Sequence, residues 1–144
     1  RDHHVDPGAH FSPNPDYVAS WPPHCVAGTP GADFHPEFAE AAGEVDEEFR
    51  KGAHAAAYSG FEGTAADGTP LAAWLRGHGV TEVDVVGIAT DHCVKATALD
   101  AVREGFATRV LLSLTAGVAA ETTRRALDEM QGAGVELVGE PVVA

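Results

Sequence analysis

The stretch ATDHCVKATALDAVREGF, residues 89–106, follows the apolar run VDVVGIA and carries one of the chain's two cysteines. A thiol placed where a buried strand stops and a helix begins sits among unpaired backbone N–H groups. Such groups favour a thiolate and can hold an oxyanion. Cys93 is therefore positioned for acyl transfer. Position alone leaves two other readings open, a small buried hydrophobe and a metal ligand. Asp91 and Thr90 read as helix-start residues that satisfy backbone donors. Lys51, in FRKGAH, is the cation that could support a thiolate or an oxyanion if buried, with an ordinary solvent-facing lysine as the alternative. No acidic residue between 40 and 100 stands out as the base that would take and return a proton.

A second cluster lies at the front. RDHHVDPGAHF and SWPPHCVAG supply Asp2, His3, His4, Asp6, His10 and His24, in a chain with eight histidines. Aspartate and histidine together make a site for a divalent ion such as Zn²⁺, Mn²⁺ or Fe²⁺. In an extended segment Asp2 and His4 point to one side, and His10 and His24 could return to them through the loops. Solvated loop histidines are the competing reading. The spacing matches no closed zinc-finger pattern. Cys25 follows His24 directly, an awkward geometry for both side chains to point inward.

The elements that must hold these residues come later in the chain. Residues 1–35, rich in Pro, Gly and His, read as one long ordered loop with short helical turns. A loop of that length without a task is uncommon. Residues 36–47 suggest a short surface helix or turn, and 47–54 a short strand. PLAAWLRGHG, 70–79, predicts a helix opened by Pro and closed by Gly79, with Leu71, Trp74 and Leu75 on one face. Residues 83–89 predict a strand covered on both faces, because the apolar run is nearly continuous. A helix is expected over 91–105 with Val94, Ala98 and Ala101 inward, a strand over 108–114, a helix over 121–134 with Ala126 and Met130 on one side, and a last strand over 135–139. Strand, helix, strand, helix, strand with tight links is the pattern of a parallel α/β sheet, whose ligands bind beyond the carboxyl ends of the strands.

The chain has 144 residues and is 44% hydrophobic, enough for one domain over 1–144. Its net charge of −13 repels nucleic acid and anionic membrane surfaces. Two cysteines are too few for a disulfide framework, and no apolar run approaches a membrane span, so the cytoplasm is the expected compartment. VVGIAT lacks the glycine-rich fingerprint of dinucleotide binding.

Four stretches, DHHVDPGAHF, SWPPHCVAGTPGADFHP, KGAHAAAYSGFEG and VDVVGIATDHCV, occur in this order and resemble the nicotinamidase/pyrazinamidase branch of the isochorismatase-like cysteine hydrolases. The resemblance implies a three-layer α/β/α fold with a mostly parallel, Rossmann-like sheet. It implies a metal site of Asp2, His4, His10 and His24 holding one divalent ion, Fe²⁺, Mn²⁺ or Zn²⁺. It makes Cys93 the nucleophile and Lys51 a catalytic residue. It matches Ile88-Ala89 to a cis peptide, with the Ala89 and Cys93 N–H groups as the oxyanion hole. Trp21 and Tyr58 match residues lining the ring pocket, and His92 one close to the site. The implied reaction is hydrolysis of nicotinamide, or pyrazinamide, through a cysteine thioester, by a monomer or homo-oligomer. Another amidase of the superfamily and a non-catalytic metal-binding fragment are the alternatives. One departure stands out: the family's catalytic aspartate lies on a first strand, in a segment like DVQNDF, and no such segment occurs here. The expectation is a fold lacking its first strand as it stands, with either a native chain that extends before residue 1 or another chain that supplies the strand.

Overall fold

The computed structural model describes residues 1–144. Four helices and three strands follow in the order α1 (Ala39–Ala42), α2 (Leu71–Gly77), β1 (Glu82–Ile88), α3 (Lys95–Arg103), β2 (Ala107–Ala116), α4 (Ala120–Gly132) and β3 (Glu136–Val138). The three strands form one parallel sheet in the order β1-β2-β3. The α/β class, the strand–helix alternation and the positions of its members all agree with the sequence reading.

The core lies between the sheet and the α3–α4 pair. Val85, Val110 and Leu112 from the strands meet Val94, Ala98, Ala126 and Met130 from the helical side, with Val135 at the entry to β3. Ala98, Ala101 and Ala126 are wholly buried. Their small side chains let the helices lie close to the sheet, so enlarging one would overpack this layer at a cost of about 1–3 kcal/mol. Met130, unbranched and also wholly buried, fills the space between them.

The opposite face differs from the expected double cover. In β1 only Val85 is buried, while Val86 is 50% and Ile88 77% exposed. Leu114 and Val138 add to the same exposed apolar surface. An apolar run reports that a strand is suited to burial on both faces, but the residues that would supply the second cover are set elsewhere.

β1 and β2 pair regularly as far as Val85 and Val110, then shift so that Gly87 lies opposite Thr115. The irregularity re-aims the end of β1 just before the turn that carries Cys93. That turn, Thr90–Val94, is a π-helical turn leading into α3. The strand anticipated in 47–54 is only two bridges, Lys51 to Asp2 and Arg50 to Thr64. No helix is long and apolar enough to cross a membrane.

Candidate active site

The front loop is ordered by its own polar groups. Oδ1 of Asp16 accepts the N–H groups of Val18, Ala19 and Ser20, each at 2.9 Å. These bonds hold its carboxyl well below the usual carboxylate range. The loop then returns beside its start: Trp21 N–H donates to the His10 carbonyl at 2.8 Å, and Ser12 N–H to the Trp21 carbonyl at 3.0 Å. His4 is tied in by its backbone, whose N–H donates to the Cys25 carbonyl at 2.9 Å. Residues far apart in sequence thus converge on one spot.

His4, His10 and His24 meet there, with one ring nitrogen of each lying within 4.8 Å of the others. The Nδ1 atoms are taken by backbone carbonyls: His4 to Gly52 at 2.6 Å, His10 to Ala19 at 3.3 Å, His24 to Pro22 at 2.8 Å. A carbonyl only accepts, so each Nδ1 carries the proton and each Nε2 presents a lone pair. The Nε2 atoms of His4 and His24 then face each other at 3.2 Å. In neutral rings these are two opposed lone pairs, in a site where His4 is 1% exposed, an arrangement that a bound cation relieves. The donor set therefore fits a divalent metal, and its carbonyl partners are the outer bonds that fix such ligands. Asp2 stands at the margin: Oδ2 is 4.0 Å from His4 Nε2, while Oδ1 accepts from Lys51 Nζ.

Gly52 shapes this cluster and was not singled out in the sequence. Its φ is +77°, and a Cβ there would lie 2.6 Å from His4 Cε1. Only glycine gives both the left-handed backbone and the space. The single sequence signal is its place after Lys51 in KGAH.

Lys51 is 8% exposed. Its ammonium donates to Asp2 and to the Ala57 carbonyl at 2.7 Å, and lies 3.7 Å from Cys93 Sγ. At that separation a thiolate–ammonium pair is worth on the order of 4 kcal/mol at an effective dielectric of about 20. Burial nonetheless pushes the Cys93 thiol above its ordinary value, against the pull of Lys51. Asp2 adds to the effect of burial, since its carboxylate shares the Lys51 charge and itself raises the thiol. A resting thiol rather than a thiolate follows, the reverse of what the turn position alone suggests. The Ala89 backbone also pulls the thiol down, and the Ile88-Ala89 peptide is cis.

Three aromatic side chains complete the wall. Trp21 Nε1 donates to Tyr58 Oη at 3.1 Å, and that hydroxyl donates to the Val18 carbonyl at 2.7 Å. The His92 ring lies edge-on to Trp21, with centroids 4.9 Å apart. Tyr58 spans the two halves, 5.8 Å from the His10 ring and 6.0 Å from that of His92. Asp2, His10, His24, Lys51, Ile88, Ala89 and Cys93 line one cavity of about 490 Å³ with these aromatics. Every residue that the resemblance assigns to the site thus faces that cavity, except His4, which reaches it through the histidine cluster; His3 and Asp6 do not line it. Cys25 lines it too. The awkwardness of adjacent inward side chains is resolved by its left-handed backbone, φ 46°.

A family model, described as the isochorismatase domain, matches residues 4–140. The chain belongs to the isochorismatase family. Within it, the chain is 65% identical over 138 residues to the nicotinamidase/pyrazinamidase of Mycobacterium tuberculosis, covering 96% of this chain and 73% of the relative. Among solved structures, the pyrazinamidase of Pyrococcus horikoshii in complex with zinc superposes with a TM-score of 0.74 at 38% identity, covering 97% of this chain and 73% of that one. PnC1 from L. infantum in complex with nicotinate gives 0.80 at 32% identity, covering 99% and 71%. The isochorismatase fold thus accounts for the parallel sheet and for a cavity beyond the carboxyl ends of its strands.

Proposed function

We propose that the protein hydrolyses nicotinamide to nicotinate and ammonia, with pyrazinamide as a second substrate of like shape, through a thioester on Cys93. One observation carries the reading: a buried Lys51 paired with Cys93 and a three-histidine cluster share one aromatic-walled cavity. A cysteine–lysine pair suits acyl transfer, and a cation across the cavity suits a substrate with a ring nitrogen. The similarity to the nicotinamidase/pyrazinamidase of M. tuberculosis supports the choice of amide.

The burial that raises the Cys93 thiol means that a base must take its proton. We assign that role to a carboxylate, as the family resemblance implies. Asp2 is engaged by Lys51 and stands beside the histidines. The deprotonated sulfur attacks the amide carbon, and the carbonyl electron pair becomes an oxyanion held by the Ala89 and Cys93 N–H groups. Lys51 stabilises the negative charge as it moves from sulfur to oxygen. The base returns its proton to the amine, ammonia leaves, and a thioester remains. Water, deprotonated by the same carboxylate, attacks the thioester carbon, expels the Cys93 sulfur and releases nicotinate. His4, His10 and His24, with Asp2 beside them, would hold a divalent ion, Fe²⁺, Mn²⁺ or Zn²⁺. A bound ion would supply a Lewis-acidic anchor for the ring nitrogen. Trp21, Tyr58 and His92 flank the ring and exclude water. The two free thiols suit a reducing compartment, and the cytoplasm is the proposed one.

The test is ammonia release from nicotinamide by the metal-loaded, native-length protein and its Cys93→Ala variant. The variant should lose release by at least about 1,000-fold with metal content unchanged. Turnover close to that of the parent would reject the assignment.

A further inference from the structure

Asp91 immediately precedes His92 and Cys93 yet does not face the substrate cavity. Its side chain is wholly buried. Oδ1 accepts the Val118 N–H at 3.0 Å, and Oδ2 accepts the Ala119 N–H at 3.3 Å and the Thr122 hydroxyl at 2.5 Å. Asp91 therefore does not cap its own helix. Its amide partners precede Ala120, the first residue of α4, and lie some 27 residues further along the chain, so it ties the nucleophile's turn to the segment that leaves β2. A second tie runs in parallel, from Thr90 Oγ1 to Thr115 Oγ1 at 2.8 Å, both residues being buried. Val118, whose N–H Asp91 holds, lines the substrate cavity. One carboxylate thus joins the turn bearing Cys93, the start of α4 and a piece of the cavity wall.

We propose that Asp91 is a positioning residue, fixing Cys93 relative to Lys51 by clamping its turn to the start of α4. The proposal rests on Cys93 as the nucleophile. Lys51 sits on a separate segment, held by Asp2 and by the Ala57 carbonyl. The 3.7 Å contact between Nζ and Sγ is therefore made between two independently anchored pieces. Movement of the turn by about 1 Å would be enough to cost on the order of 100-fold in rate. Burial works to raise the Asp91 carboxyl, yet the Thr122 hydroxyl and the Val118 N–H hold it below its usual range, so the clamp is made by a charged acceptor.

Asp91→Asn sets an amide donor against a backbone N–H, because both carboxylate oxygens accept from one. Thr122→Val removes only the hydroxyl from an exposed residue, and Thr122→Ser restores it. Three quantities are read on each native-length, metal-loaded variant: nicotinamide kcat and KM, the rate of Cys93 alkylation by iodoacetamide at fixed pH, and the thermal midpoint. Asp91→Asn should lower kcat about 100-fold and Thr122→Val about 10-fold, with KM within about 3-fold. Cys93 alkylation should slow in both, as the turn leaves Lys51, and Thr122→Ser should return to the parent values. Variants with a lower midpoint but unchanged kcat and an unchanged or faster alkylation rate would overturn the proposal, leaving Asp91 a plain structural tie. If Asp91→Asn does not fold, the Thr122 pair decides. If the parent does not turn over nicotinamide, the amidase reading fails, and the alkylation rates alone still decide whether Asp91 positions Cys93.

Discussion

Lys51 is shared among three partners, and how its charge is divided sets the state of the nucleophile. Asp2 takes one N–H, the Ala57 carbonyl another, and Cys93 lies 3.7 Å away. Burial raises the thiol, Lys51 lowers it and Asp2 raises it again. The sign follows: Lys51→Ala removes the only one of these three that favours the thiolate. Iodoacetamide alkylation of Cys93, followed against pH, should have its midpoint above that of free cysteine, and in Lys51→Ala the midpoint should move higher still. A midpoint that stays put would mean the lysine charge is fully neutralised by Asp2. At this scale the sequence was informative about identity but silent about state. TDHC at a strand end pointed to a nucleophile, whereas the loss of hydration that keeps it a thiol arises only in the folded chain.

Among the elements, the periodic segments were legible and the irregular ones were not. Ala98, Ala101, Ala126 and Met130 have helical spacing, and all four are buried where that spacing puts them. The apolar run of β1 identified a strand, but not that Val86 and Ile88 would lie exposed here, because run and alternation describe a strand's suitability and not its cover. The tie that Asp91 makes to the start of α4 was out of reach, since its partners at 118, 119 and 122 are brought near only by the β2 crossover. Gly52 was missed because its neighbour His4 is 48 residues away in sequence and is brought near only by the folded chain. Gly52→Ala should lose about 1–2 kcal/mol from the left-handed backbone alone, and more from the contact with His4. Because His4 must move, the metal-to-protein ratio measured by atomic emission should fall well below that of the parent. Retention of full metal content would show that the His4 ring can shift without leaving the cluster.

For the whole molecule, the main consequence concerns the two unequal faces of the sheet. One face is sealed by α3 and α4; the other carries Val86, Ile88, Leu114 and Val138, all at least 39% exposed. Contiguous apolar surface on a parallel sheet binds apolar probes and promotes association. Residues 1–144 alone should enhance anilinonaphthalene sulfonate fluorescence and sediment as a concentration-dependent mixture. Leu114→Lys should reduce both, whereas no change would mean that this face is covered in solution. The net charge of −13 opposes such association, so raising the salt concentration should strengthen it.

The central claim is covalent, and it is tested most directly by catching the covalent species. Native-length, metal-loaded protein is mixed with nicotinamide, quenched in acid within the first turnovers, digested and weighed by mass spectrometry. The account predicts a nicotinoyl group on the peptide carrying Cys93, absent from Cys93→Ala and from samples without substrate. Nicotinate produced at full rate with no adduct on Cys93 in any early quench, and with Cys93→Ala still active, would contradict it.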